Sequence, residues 1–413
     1  MKILKLASYY TPEQISSTHL SKDLNDAYLK EGFTFDVYAP TPTRGISGEV
    51  RKKYKKIKYE ELDNGQTTVH RFSMFREGKN PIGRAIRYFL VNVKHYFKGI
   101  KAKDIDLISS GSTPPTQGLL CAMVKKKLSK KYGKKVSFVY TLQDVFPDSL
   151  VTTGLAKKGG LLWKIGRKIE DYTYRNADAI IVISEGIKKN IMGKGVPEEK
   201  ITVISNWIDT EEVKPIPKTE NVLYEEFGIS RDKFTVVYAG NVGKAQGAGV
   251  ILDAAKLLYD RQDLQFVIFG AGASFDTMKA RVNDEGINNV IINPILPPDR
   301  VSEVYSLGDI ALITCKKGVG GSGLPSKTWS IMGCNTPIIA TFDTASDLAN
   351  VLREANAGAC VEPENPCVLA DAILTSLESP IQNCGAREYV EKYASKEICT
   401  AKYIGLVKAT VKK

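Results

Sequence analysis

Histidine is scarce in this chain: three residues, His19, His70 and His95, in 413 are too few and too scattered for a histidine-based metal centre. The seven cysteines, at 121, 315, 334, 360, 367, 384 and 399, are odd in number and never form a C-x-x-C pair. That pattern argues against a zinc site and a disulfide framework and fits reduced thiols in the cytoplasm. No run of about 18 apolar residues occurs, so the sequence offers no membrane-spanning helix. The opening MKILKL is a basic residue followed by a strand pattern, without the apolar stretch and cleavage site of a secretory signal. A G-K-[ST] phosphate loop is missing, and so is the glycine spacing of a dinucleotide fingerprint. The only D-x-D, Asp104-Ile105-Asp106, opens a strand, where ligands for a nucleotide-bound metal would be buried.

What remains is a basic globular composition, 43% hydrophobic and 25% charged with a formal charge of +12. The length suits two or three domains. The charge favours a polyanionic partner: nucleic acid, anionic lipid or a phosphorylated substrate.

Apolar runs predict strands over 3–8, 33–39, 106–110, 136–142, 179–183 and 201–205, with a first helix over 17–30. This βαβ opening implies a parallel sheet. Loops at the carboxyl edge of such a sheet meet ligands, which places Glu13, Ser17 and His19 to meet a substrate and Asp144 just past a strand end. A solvated loop, a helix cap or a turn explains the same residues. The run RKKYKKIK at 51–58 reads as a solvated loop. Over 84–101, Ile86, Phe89, Leu90, Val93, Phe97 and Ile100 form one helical stripe, with Arg84, Arg87, Lys94, Lys98 and Lys101 along its flank. Such a helix either lies on an anionic bilayer or packs on the sheet with its lysines reaching water.

The pattern breaks at Lys214-Pro215-Ile216-Pro217, which sets a domain boundary: 1–213, then 214–390, then a closing helical segment, 391–413, that can cross back to the first domain. The second domain repeats the grammar of the first, with strands over 234–239, 265–269, 290–293, 310–314, 338–341 and 358–361 and a helix over 250–261. The expected fold is α/β, two Rossmann-like doubly wound domains facing across a cleft.

Two glycine-rich loops carry the chemistry. Gly318, Gly320, Gly321 and Gly323 precede a helix expected to open near Pro325 or Ser326, with Ser326 as its cap and Lys327 in reach of an anion. In the other, Gly240 to Gly249 follow a buried strand and enclose Lys244. Strand, glycine loop and helix together suit a phosphate.

The ordered motifs Y-Y-x-P-E, Q-D-V-F-P-D, V-I-S-E-G, V-I-S-N-W-I-D, Y-A-G-N-V-G-K, F-V-I-F-G-A-G and L-P-S-K-T-W-S-I-M resemble a family 4 glycosyltransferase over nearly the whole chain. The resemblance is nearest to bacterial enzymes of surface polysaccharides such as O-antigen or capsule, including N-acetyl-L-fucosamine transferases. It implies the GT-B architecture, a retaining reaction and a UDP- or GDP-sugar donor, UDP favoured, with no obligatory metal or other cofactor. By the same resemblance Gly240, Asn241, Gly243, Lys244 and Gln246 meet the donor diphosphate, and Gly270 and Gly272 lie near the base or ribose. Leu324, Pro325, Ser326 and Lys327 line the diphosphate site with Ser330 close by. Lys244 and Lys327 are the implied catalytic cations, and Asp144 orients the acceptor hydroxyl or takes its proton.

Two departures stand out. Asn241 occupies a position where many members have arginine, and Ser322 and Ser330 stand where many have two glutamates. The implied partners are a nucleotide sugar, a polyprenyl-diphosphate-linked acceptor and the anionic inner leaflet, with no nucleic acid. The protein is then cytoplasmic and peripheral on the inner face of the plasma membrane. A GT-B epimerase would need more carboxylates and histidines in its cleft. A nucleic-acid module would need stacking aromatics among the basic runs, where only Tyr54 and Tyr59 occur. A non-catalytic nucleotide-sugar sensor would explain the two serines.

Overall fold

β-branched and aromatic runs buried on both faces form the interior strands of two parallel sheets, as crossover helices require. The computed structural model describes residues 1–14, 18–78, 80–152, 154–320 and 323–412. It divides into Met1–Ile204 with Thr400–Lys413, and Ser205–Cys399.

The first sheet contains β1 (Lys2–Leu6), β2 (Thr34–Pro40), β3 (Tyr59–Leu62), β4 (Thr67–Phe72), β5 (Leu107–Gly111), β6 (Ser137–Leu142), β7 (Ala179–Val182) and β8 (Ile201–Val203). Their order is β3-β4-β2-β1-β5-β6-β7-β8, parallel except for the β3–β4 pair. β3 and β4 were not expected from the sequence. TTVHRF is mostly polar, with only Val69 and Phe72 apolar, yet Thr67 and Val69 are fully buried beside β2, and Arg71 is nearly so, paired with Glu60 at 2.5 Å. The basic run at 51–58, expected as a loop, instead begins in the helix Gly48–Tyr54, capped by Ser47 Oγ, which accepts from Val50 N at 3.2 Å. Tyr54 lies under the Arg71 guanidinium, 4.7 Å from carbon to ring centroid.

The helix Pro81–Gly99 turns its stripe outward. Ile82, Ile86, Phe89 and Phe97 are 71%, 52%, 67% and 59% exposed, whereas Arg87, Val91 and His95 are fully buried. The stripe is therefore not what packs on the sheet, and Arg87, expected on the flank, is interior. His95 accounts for part of that inversion, since its Nε2 lies 3.0 Å from the Tyr38 carbonyl and burial holds its pKa down near 3, a neutral ring.

The second sheet contains β9 (Phe234–Asn241), β10 (Leu264–Ala271), β11 (Val290–Pro294), β12 (Ile310–Thr314), β13 (Ile338–Thr341) and β14 (Gly358–Val361), all parallel, in the order β11-β10-β9-β12-β13-β14. From β9 the chain moves outward through β10 to β11, then returns to β9's other side at β12. The loops after β9 and β12 diverge, which leaves a crevice at the carboxyl edge.

The division between units falls at 204/205 rather than 213/214. Ile208 and Val213 belong to the core of the second unit with Leu223, Trp329 and Met332. Ile208 bridges Ser395, and Lys396 pairs with Asp209, so 391–399 stay with this unit as well. From Thr400 the last helix belongs to the first unit: Tyr403 and Val407 are buried, Ser137 Oγ donates to Thr410 O at 3.3 Å, and Lys408 pairs with Glu31.

Candidate active site

The crevice of the second sheet gathers three loops. β9 runs on to Asn241, and Gly240 within it has φ +130°, a conformation that side-chain-bearing residues rarely adopt. A Cβ at Gly240 would lie 3.0 Å from Lys327 Nζ. Lys327 thus reaches from the loop after β12 across β9, donates to Ala239 O at 2.9 Å, and sits 4.1 Å from the centroid of the Tyr238 ring. Burial pulls its pKa from 10.5 down to about 8. The same two loops are tied again where Lys316 N donates to Ala245 O at 3.0 Å.

The third loop follows β10. Gly272 has φ +128°, and a Cβ there would stand 2.3 Å from Asn241 Oδ1. Val242 N donates to Ala271 O at 2.8 Å, and Tyr238 Oη donates to Asn241 O at 2.8 Å. Asn241 is exposed, with its Nδ2 at 3.5 Å from Gln246 Oε1, and Gly243 packs on the same two side chains. Gly270 lies against the Phe275 ring. Lys244 is exposed at the start of a single 3₁₀ turn, Lys244–Gln246, and the helix proper is Gly249–Leu257.

The glycine-rich loop after β12 differs from its reading in the sequence. Its early N–H groups are not free: Gly318 N and Gly320 N each donate to the Asp343 carboxylate at 3.0 Å, and Lys317 N donates to Glu364 Oε2 at 3.1 Å. Gly320 is required by packing, since a Cβ would meet the Phe342 ring at 2.4 Å. Asp343, unremarked in the sequence, organises this loop from just beyond β13. Gly321 and Ser322 lie outside the described residues. The following helix is Lys327–Gly333, and Ser326, in helical conformation and exposed, makes no side-chain cap. Leu324, Pro325 and Ser330 are half-buried, Leu324 against the core.

In the first domain the expected residues are dispersed. Glu13 is buried, and its carboxylate accepts from Thr43 N at 2.6 Å, Arg44 N at 3.0 Å and Tyr10 N at 3.2 Å, joining the loops after β1 and β2. His19 is exposed on the helix Thr18–Lys30, and Ser17 lies outside the described residues. Asp144 is exposed after β6, with its N–H 3.4 Å from Ser112 Oγ. Neighbouring bulk raises its carboxyl above the usual range, opposed by hydrogen bonds from Ser149 and Val145. Asp106 of the D-x-D accepts from Lys2 N at 2.9 Å and pairs with Lys134 at 3.1 Å.

Comparison with known proteins bears on both domains. Residues 20–212 match the family described as Glycosyltransferase Family 4, and residues 221–397 match Glycosyl transferases group 1. The chain is 26% identical over 310 residues to "Probable glycosyltransferase WbjE" of Pseudomonas aeruginosa, covering 75% of this chain and 76% of that one. It is 24% identical over 409 residues to "Putative colanic acid biosynthesis glycosyl transferase WcaI" of Escherichia coli (strain K12), covering 98% and 99%. Among solved structures, Alr3699/HepE of Anabaena in complex with UDP superposes with a TM-score of 0.71 at 15% identity, covering 99% of this chain and 100% of that one, a likeness of fold.

Proposed function

From the premise that the chain belongs to glycosyltransferase family 4, with its two-domain GT-B fold and relatives in polysaccharide biosynthesis, we propose the following transfer. A sugar moves from a nucleoside diphosphate sugar, UDP-linked in preference to GDP-linked, to a saccharide on a polyprenyl diphosphate, with retention at the anomeric carbon. The product belongs to O-antigen, capsule or exopolysaccharide. Support for the donor comes from HepE, which was solved with UDP and with UDP-glucose. The observation that carries the reading is Lys327 lying beneath Gly240, one cation shared by two glycine-rich loops at the strand-order reversal.

In the transfer, the bond between the anomeric carbon and the diphosphate oxygen breaks, and the acceptor oxygen forms the new one. Negative charge grows on the departing diphosphate. Lys327, held in place by Ala239 O, and Lys244, exposed on its own loop, oppose that charge with no obligatory metal, and each such contact supplies ~3 kcal/mol. Gly240, Asn241, Gly243, Gln246, Leu324, Pro325 and Ser326 shape the diphosphate site, Ser330 lies beside it, and Gly270 and Gly272 leave room for the nucleoside. Asp144 orients the acceptor hydroxyl or takes its proton.

Among the described residues no helix is long and apolar enough to cross a membrane. The exposed stripe of Pro81–Gly99, with Lys94 and Lys98 beside it, supports attachment to the inner leaflet instead. Incubating the protein with a panel of nucleotide sugars and lipid-linked acceptors, while following nucleoside diphosphate release, tests the reading. UDP binding with no turnover on any acceptor would favour the sensor reading.

A further inference from the structure

The loops at the carboxyl edge of the first sheet gather more arginine than their carboxylates neutralise. Glu77, with its side chain 5% exposed, receives Arg44 Nε at 3.1 Å, Arg84 Nε at 3.0 Å and the Tyr9 hydroxyl at 2.7 Å. Arg87 stands behind it, fully buried, with Nη1 3.8 Å from Glu77 and Nε donating to Phe75 O at 3.3 Å. Among the described residues neither Nη1 nor Nη2 of Arg87 has a hydrogen-bond partner. Arg51 reaches the carbonyls of Pro42 and Met74 close by. The other carboxylate here, Glu13, is already held by backbone N–H groups. Three guanidinium groups on one carboxylate leave an excess of positive charge, and a buried guanidinium with idle donors is costly until an anion completes it.

The apolar surface beside the cluster is equally specific. Arg84 and Arg87 lie on the helix whose outer face carries Ile82, Ile86 and Phe89, and Phe75, also exposed, precedes it. One helix therefore carries a cationic side, turned to Glu77, and an apolar outer side. A free sugar phosphate would have no use for the second, and a bare bilayer no use for an interior arginine.

We propose that Arg44, Arg84 and Arg87 seat the diphosphate of a long-chain alkyl or isoprenoid carrier whose hydrocarbon stays in the bilayer against Ile82, Ile86 and Phe89. This rests on the acceptor reading given above and adds its head-group residues. Guanidinium forks suit paired phosphate oxygens better than lysines do.

The test is co-sedimentation of the full chain with phosphatidylcholine vesicles carrying either an isoprenoid diphosphate or phosphatidylserine at matched surface charge. The diphosphate vesicles should bind about tenfold more tightly, and inorganic pyrophosphate should compete. Arg84→Gln with Arg44→Gln should erase that preference. Arg84→Gln alone, at a partly exposed position, should reduce it if the double variant does not fold. Phe89→Ser should weaken binding to both kinds of vesicle equally. Equal binding of the wild type to the two vesicles, or an undiminished preference in Arg84→Gln, overturns the proposal. UDP titration of the same samples separates the two readings. Normal UDP binding without diphosphate preference removes only this site, whereas diphosphate preference without UDP binding removes only the donor reading.

Discussion

Replacing Lys327 by methionine should stabilise the C-terminal domain and weaken its grip on the donor. Methionine keeps the length and apolar stem of the side chain and removes the charge. The lysine sits where burial lowers its pKa from 10.5 to about 8, which at neutral pH corresponds to ~3 kcal/mol of unfavourable charge burial. The hydrogen bond to Ala239 O and the contact with the Tyr238 ring offset this by ~1 kcal/mol each. The variant should therefore gain ~1 kcal/mol at pH 7. The sign with pH follows from proton counting. Between about 8 and 10.5 the folded protein has released a proton that the unfolded chain still holds, so wild-type stability rises with pH across that window. The variant should lack this rise. Its affinity for UDP should fall ~10–100-fold, the loss of one charge-assisted contact to the diphosphate. Wild-type affinity should decline above about pH 8 as Lys327 loses its proton. Urea unfolding followed by tryptophan fluorescence, with Trp207 and Trp329 both buried in this domain, and calorimetric titration with UDP provide the measurements. Unchanged UDP affinity in the variant, or stability curves that run parallel with pH, would refute the reasoning.

Gly240→Ala should cost ~1–3 kcal/mol, because alanine is strained at φ +130° and its Cβ would press on Lys327; turnover should fall with it, read by steady-state kinetics on the donor. Lys244→Ala should lower turnover by about a hundredfold, yet leave the melting temperature unchanged because the side chain is exposed. Asp343→Ala frees the N–H groups of Gly318 and Gly320 and should destabilise by ~1–3 kcal/mol, with a raised KM for the donor. Asp343→Asn, which keeps one acceptor, should do less on both counts.

Much of the second domain was legible because its interior strands are continuous apolar runs. Val236, Val237 and Tyr238 before one loop and Ile310 to Ile313 before the other mark where each glycine segment must emerge. Strand β4 was not legible, because Thr67, Thr68 and His70 interrupt any apolar run and Arg71 meets its partner, Glu60, only after the sheet has assembled. Periodicity exposed the stripe on Pro81–Gly99 but not its direction. A stripe of Ile and Phe normally faces the core, and here an arginine, a valine and a histidine take that place. Asp343 was invisible for a different reason: an aspartate after a strand has many uses, and only the fold brings this one to two glycine N–H groups. Arg84 and Arg87 were visible on the helix flank, but Arg44 joins Glu77 from 33 residues away, and only the fold gathers the three on one carboxylate.

The return of Thr400–Lys413 to the first unit has a consequence for synthesis. During translation the ribosome makes all of Ser205–Cys399 before the segment that meets Ser137 and Glu31 exists. The domain begun earliest is thus completed last. Cutting the gene at the midpoint yields one fragment lacking its closing piece and another carrying a stray one.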